Sequence, residues 1–182
     1  MLRRGCRLML RNFNLLATTY RGSEDEACSE LWYLLKEVED QNPVVEKTGV
    51  AGLIAAKTTL NPFEVIMKLR LILRERPYEF RYTLRILPVE KVVRTEINEI
   101  RRAAEELSAK IGENETFRVT VEKRFTEIST KEIIEAAASK IERKVNLNNP
   151  NKIFLIEVIG GLTGISVIKT DDILSVVKEK AI

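Results

Sequence analysis

The segment FRVTVEKRF occupies residues 117–125, and IFLIEVIGGLTGISVIK follows at residues 153–169. In the first segment apolar side chains alternate with polar ones, which predicts a strand with one buried face. We expect that face to carry Phe117, Val119, Val121 and Phe125. In the second segment two β-branched apolar runs flank a glycine pair, which predicts a hairpin. The last third of the chain therefore supplies three strands.

The glycines of this hairpin permit a second interpretation. Gly161 and Gly164 form a G-x-x-G, the motif with which KH domains clamp a nucleic-acid backbone. In those domains the loop joins two helices, whereas both flanking runs here have strand composition. The sequence therefore favours the hairpin.

Two helices are predicted around the first of these strands. Residues 95–111 place Ile97, Ile100 and Leu107 on one apolar stripe, with a glycine at the position of a C-terminal cap. Ser129 and Glu132 form a capping-box pattern that starts a second helix, which we expect to end where residues 146–151 become rich in asparagine.

The N-terminal half predicts the order β-α-β-β-α-β over residues 13–89. That order is typical of a ferredoxin-like domain, with two helices on one face of an antiparallel sheet. We expect an α+β fold with two domains, at residues 1–93 and 94–182.

The amino-acid composition limits the catalytic groups and metal ligands that the chain can supply. The chain has 182 residues, no histidine, two cysteines and a formal charge of +3. The histidine count removes the commonest general base and zinc ligand, and no phosphate-binding glycine motif occurs. We expect reduced thiols at Cys6 and Cys28, no cofactor, no metal and no catalysis. The apolar runs are too short for a membrane span, so we expect a cytoplasmic protein.

Basic residues cluster within this modest net charge. Strand parity places Arg118 and Arg124 away from the apolar face, and Lys123 at the strand end. Helical spacing of three and four would place Lys140, Arg143 and Lys144 on one flank. Such a stripe suits a polyanion and suits a solvated surface equally well. The N-terminal arginines Arg3, Arg4, Arg7, Arg11 and Arg21 form a further basic stretch. The candidate RNA-binding residues are Arg118, Lys123, Arg124, Lys140, Arg143 and Lys144.

The order FRVTVEKRF, capped helix, KVNLNNP and closing strand pair resembles the THUMP domain. Members carry a strand ending in basic residues and a Val-Asp/Asn-Leu-x-x-Pro segment, here residues 145–150 with Asn146 at the position where Asp is common. The segment FNLLATTYRGSEDEACSELWYLL, residues 13–35, is similar to the start of THUMP proteins of the tRNA-acetylation adaptor family.

The resemblance implies tRNA binding without catalysis. It implies an adaptor for a tRNA-modification enzyme, such as an RNA cytidine acetyltransferase that makes N4-acetylcytidine. The other function that the sequence permits is a protein–protein scaffold that binds no RNA. If the basic residues are surface contacts, charge reversal at Arg124, Arg143 and Lys144 should leave the fold intact.

Overall fold

The computed structural model describes residues 11–180, which form two compact units. One unit comprises residues 11–89 and 172–180, and the other comprises residues 90–171. The N-terminal arginines Arg3, Arg4 and Arg7, together with Cys6, lie outside the described residues. The α+β fold class is confirmed, since each unit joins one sheet to helices.

The first unit follows the predicted β-α-β-β-α-β order and adds two short elements from the C-terminal end of the chain. Its elements are β1 (Leu15–Thr18), α1 (Glu24–Glu37), β2 (Val44–Lys47), β3 (Leu53–Lys57), α2 (Pro62–Glu75), β4 (Arg85–Pro88), β10 (Leu174–Ser175) and α5 (Val176–Lys180). The sheet has the strand order β10-β4-β1-β3-β2, and every paired neighbour is antiparallel. The apolar stripes of α1 and α2 are buried in one core with this sheet.

The C-terminal residues contribute a short strand and a short helix to this unit. Leu174 and Ser175 pair with β4 before α5 begins. Arg70 of α2 forms an ion pair with Glu179 at 2.5 Å, which fastens α5 to the same unit. These residues therefore pack with the first unit, whereas the predicted division placed them with residues 94–182.

The second unit contains a mixed sheet with helices packed against it. Its elements are β5 (Lys91–Arg94), α3 (Ile97–Leu107), β6 (Thr116–Arg124), α4 (Thr130–Ala138), β7 (Lys144–Val145), β8 (Lys152–Ile159) and β9 (Leu162–Ile168). The strand order is β5-β9-β8-β6-β7. Strand β6 runs parallel to β7 and β8, and β8 forms an antiparallel hairpin with β9. Ile100 of α3, Ile133 of α4 and Phe117 of β6 share the core of this unit.

The hairpin interpretation of the glycine motif is confirmed. Ile159 pairs with Leu162, so the loop consists of Gly160 and Gly161 alone. Gly160 has φ +59, a conformation that glycine adopts at little cost and that two-residue hairpin loops require. A KH-type loop between helices is therefore wrong.

Candidate nucleic-acid interface

Strand β6 separates the predicted basic residues into two groups. Arg118 lies near its start, where Thr116 pairs with Lys144 of β7, while Lys123 and Arg124 lie at its end. Arg124 lies six positions after Arg118 along the strand, which is about 20 Å at ~3.3 Å per residue. We call the first location the β7 end and the second the hairpin end, because Gly160 donates its N–H to the Arg124 carbonyl at 2.8 Å there.

The prediction that Lys140, Arg143 and Lys144 share a helix flank is wrong. Helix α4 ends at Ala138, and the Ser139 hydroxyl donates to the Ala136 carbonyl at 2.9 Å. The chain then turns and pairs with β6 as β7. Tertiary strand pairing therefore overrides the helical spacing, and the three residues are grouped instead in the segment that leads into β7.

Arg143 is held by backbone carbonyls. Its Nε donates to the carbonyls of Ile111 and Gly112, each at 3.0 Å, and one Nη donates to the Glu142 carbonyl at 2.8 Å. These bonds satisfy acceptors where the turn after α3 leads toward β6. A guanidinium suits this role because several of its donors act together in one plane. Arg143 thus stabilises the unit, which the sequence pattern did not predict.

Arg124 is held by a carboxylate. Its guanidinium lies 2.6 Å from Glu157 of β8, whose side chain is only 2% exposed. Glu157 pairs in register with Glu122, two residues before Arg124, so Arg124 and Glu157 are diagonal neighbours that project from the same face of the sheet. The strand parity predicted for Arg124 is confirmed, but the expectation that charge reversal here leaves the fold intact does not suit a buried ion pair.

The remaining basic candidates are more accessible. Arg118 donates to the Leu147 carbonyl at 3.0 Å, and the Lys123 ammonium donates to the Ile128 carbonyl at 3.2 Å. The side chains of Lys140 and Lys144 are exposed and have no partner within residues 11–180. Among the six predicted residues, these two lysines are therefore the most readily available to an external anion.

The β7 end carries an ordered asparagine segment. The Asn146 side-chain oxygen accepts the backbone N–H groups of Asn148 and Asn149 at 3.2 and 3.0 Å. An aspartate oxygen could accept the same bonds, so Asn146 supplies the acceptor that the common Asp of this segment would supply. The turn leaves Val145 and Leu147 exposed by 52% and 70% beside Lys144.

Lys152 is a further cation at this end that the sequence analysis missed. Its ammonium lies 3.1 Å from Glu115 and donates to the Lys110 carbonyl. The pKa of Glu115 is lowered mainly by the hydrogen bond from the Gly112 N–H and secondly by the hydrogen bond from Lys152. The carboxylate is therefore charged at neutral pH. No sequence pattern indicates this contact, because Lys152 stands at the start of an apolar run. Its position near Glu115 results from the pairing of β8 with β6.

Phe125 departs from the predicted core face. Strand β6 ends at Arg124, and Phe125 has φ +57 and is 79% exposed. A left-handed backbone costs a residue with a Cβ about 1–2 kcal/mol, and leaving a Phe in water forgoes roughly 1.5–3 kcal/mol of burial. The alternation pattern assumed continued strand geometry, which the positive φ interrupts.

The structure also bears on metal binding, membrane-spanning helices and the state of Cys28. Within residues 11–180, no group of three or more His, Cys, Asp or Glu side chains is placed to hold a metal ion. None of the helices in the described part of the chain has the length and apolar character to cross a membrane. Cys28 is a free thiol in the structure, and burial together with the charge of Asp25 raises its pKa to about 11.

Comparisons with known proteins identify the second unit. Residues 94–168 match the family model of the THUMP domain, so the chain contains a THUMP domain. The predicted resemblance to that domain is confirmed. A search of curated proteins finds no match.

Solved structures share the fold over most of the chain. PH1313 from Pyrococcus horikoshii Ot3 is 20% identical with a TM-score of 0.66, over 86% of this chain and 54% of its own. A predicted N6-adenine-specific DNA methylase from Listeria monocytogenes is 17% identical with a TM-score of 0.53, over 86% and 40%. A 4-thiouridine synthetase, solved as an RNA complex with bound ATP, is 16% identical with a TM-score of 0.54, over 90% and 42%. The chain thus spans about half or less of these structures.

These comparisons correct the prediction of a non-enzyme. The fold occurs inside a 4-thiouridine synthetase and a predicted DNA methylase, which are enzymes by name. The expectation rested on missing histidines and missing cofactor motifs in these 182 residues. The prediction of a non-enzyme is therefore wrong for this class of protein, because the two enzymes contain this fold as less than half of a longer chain.

Proposed function

We propose that this chain is the RNA-binding part of a tRNA-modifying enzyme and that it holds tRNA for the modification reaction. The observation that carries the proposal is the THUMP domain at residues 94–168. The 4-thiouridine synthetase that shares the fold was solved with RNA, which supports RNA as the ligand.

The β7 end is the contact surface that we propose. Lys140 and Lys144 are exposed cations there, whereas the charge of Lys152 is balanced by Glu115. Each ammonium that meets a phosphate releases counterions, which gives affinity without reading sequence. Arg118, Lys123, Arg124 and Arg143 remain candidate contacts, although each already bonds to a protein group.

The reaction is not assigned by these residues. Residues 13–35 resemble proteins that assist an RNA cytidine acetyltransferase in forming N4-acetylcytidine, so this reaction is one candidate. The comparisons with known proteins favour no particular reaction or partner enzyme. Nucleoside mass spectrometry of tRNA from cells with and without the gene would identify the modification that depends on the protein.

An electrophoretic shift with bulk tRNA tests the binding itself. The parent chain should bind tRNA, and its affinity should fall steeply as salt rises. Absence of binding at low salt, or binding that does not change with salt, would contradict the proposal. A failure of this kind would favour the protein–protein scaffold.

A further inference from the structure

We propose that Phe125 is a stacking platform for an unpaired RNA base at the hairpin end of β6. The inference rests on the proposed function, since it assigns a contact that accompanies RNA binding. It adds a site that differs from the β7 end in both place and chemistry.

The backbone presents this ring to solvent. Because φ is +57 at Phe125, the chain leaves the strand there instead of continuing toward the core face. The loop beyond it is fixed: the Thr126 hydroxyl accepts the Ile128 N–H at 3.3 Å, and Lys123 donates to the Ile128 carbonyl at 3.2 Å. A bulky residue with positive φ is a rare strained position, and such positions concentrate at functional sites. Asparagine or glycine would fit this backbone better than phenylalanine.

The neighbouring surface leaves room for a base. The hairpin loop beside Arg124 is made of Gly160 and Gly161, and a Cβ at either glycine would meet no atom within 4 Å. Flat π surfaces of this kind stack nucleobases of any sequence once the bases are unpaired. Bases within a duplex are already stacked and cannot reach the ring.

The charges around Phe125 distinguish this contact from the lysine contacts. Lys123 and Arg124 precede the ring, and Glu122 and Glu127 lie on either side, with Arg124 already neutralised by Glu157. With Arg124 and Glu157 cancelling, Lys123 stands against Glu122 and Glu127, so this end has no excess of positive charge. We expect the contribution of Phe125 to depend on stacking and to be nearly independent of salt.

The test compares two RNA probes by fluorescence anisotropy: a single-stranded oligoadenylate and a blunt RNA duplex of equal length. Phe125→Ala and Phe125→Gly should weaken binding of the single strand by about 5- to 150-fold, the range expected for losing one stacked base. Duplex binding and the slope of affinity against salt should stay as in the parent. Phe125→Trp should retain affinity, and its added tryptophan fluorescence should be quenched by the single strand beyond the change seen for Trp32 in the parent.

The glycine variant separates function from structure. Glycine relieves the positive φ, so Phe125→Gly should melt at or above the parent temperature while it binds the single strand more weakly. Parent-like binding by both the alanine and glycine variants would overturn the stacking proposal and leave RNA binding intact. Equal losses on both probes would also overturn it, since that result indicates a general role. If the parent binds neither the two probes nor bulk tRNA, the proposed function itself fails.

Discussion

The two ends of β6 both carry basic residues, but these residues have different partners. At the hairpin end, Arg124 is ion-paired with a carboxylate that is 2% exposed. At the β7 end, Arg143 binds carbonyls, while Lys140 and Lys144 have exposed side chains with no partner within residues 11–180. Arginine forms several directed bonds from one plane, whereas lysine is a mobile point charge. The comparison teaches that, within a basic cluster, the residues already bonded to protein groups must be separated from the unbonded ones before the cluster is treated as a binding surface.

The largest expected effect is at Arg124. Arg124→Glu should lower the free energy of unfolding by about 3–5 kcal/mol, because it removes the ion pair and places a second carboxylate beside the buried Glu157. Chemical denaturation measures the change. Lys123→Glu is the matched control, since it makes the same charge change on an exposed neighbour. It loses an exposed hydrogen bond to the Ile128 carbonyl and should cost about 1 kcal/mol or less. Equal stability of the two variants would contradict the claim that Arg124, unlike Lys123, stabilises the fold.

Arg143 should show a smaller effect of the same kind. Arg143→Met keeps most of the aliphatic stem and removes the donors, and it should cost about 1–2 kcal/mol, because part of the lost bonding is replaced by water. Lys140→Met is the control and should melt close to the parent. A pair of variants with the same melting temperature would show that the carbonyl contacts of Arg143 contribute nothing to stability.

The turn at Asn146 gives a third comparison within the β7 end. Asn146→Ala removes the acceptor for two backbone N–H groups and should cost about 1 kcal/mol. Asn146→Asp should be nearly neutral, since its oxygen accepts the same bonds. Thermal unfolding would refute the assigned role if Asp were as damaging as Ala.

The smallest expected effect is the pH response of Glu115. Its folded pKa lies below the ordinary value of 4.5, owing to the Gly112 N–H and Lys152. A lowered folded pKa contributes stability above the unfolded pKa, and that stability is lost as pH falls through the folded pKa. The parent should therefore melt slightly above Glu115→Gln at about pH 7, and the difference should shrink toward about pH 2. A difference that grows on acidification would contradict the assigned direction.

Features that depend on local sequence could be predicted. The alternation in β6, the Gly160–Gly161 hairpin and the capping box of Ser129 with Glu132 all occur as expected. Each arises from side chains and backbone within a few residues of one another. The same holds for the β-α-β-β-α-β order of the first unit.

Features that depend on distant partners could not be predicted. Strands β5 and β7 are four and two residues long, and they exist because β9 and β6 pair with them. The pairing of Leu174 with β4 likewise joins segments that are far apart in the sequence. The partners of Arg124 and Arg143 are also distant in sequence. The basic residues could therefore be recognised from sequence, but their availability for RNA could not.

The most direct test of the central claim measures tRNA affinity against salt for the parent and for Lys140→Glu/Lys144→Glu. Each phosphate contact contributes about −0.7 to −0.9 to the log–log slope, so the double variant should bind more weakly with a slope shallower by about 1–2. Lys36→Glu/Lys178→Glu, in exposed lysines of the first unit, changes the net charge equally and should leave the slope close to that of the parent. Parent-like affinity and slope in the β7-end variant would contradict the account.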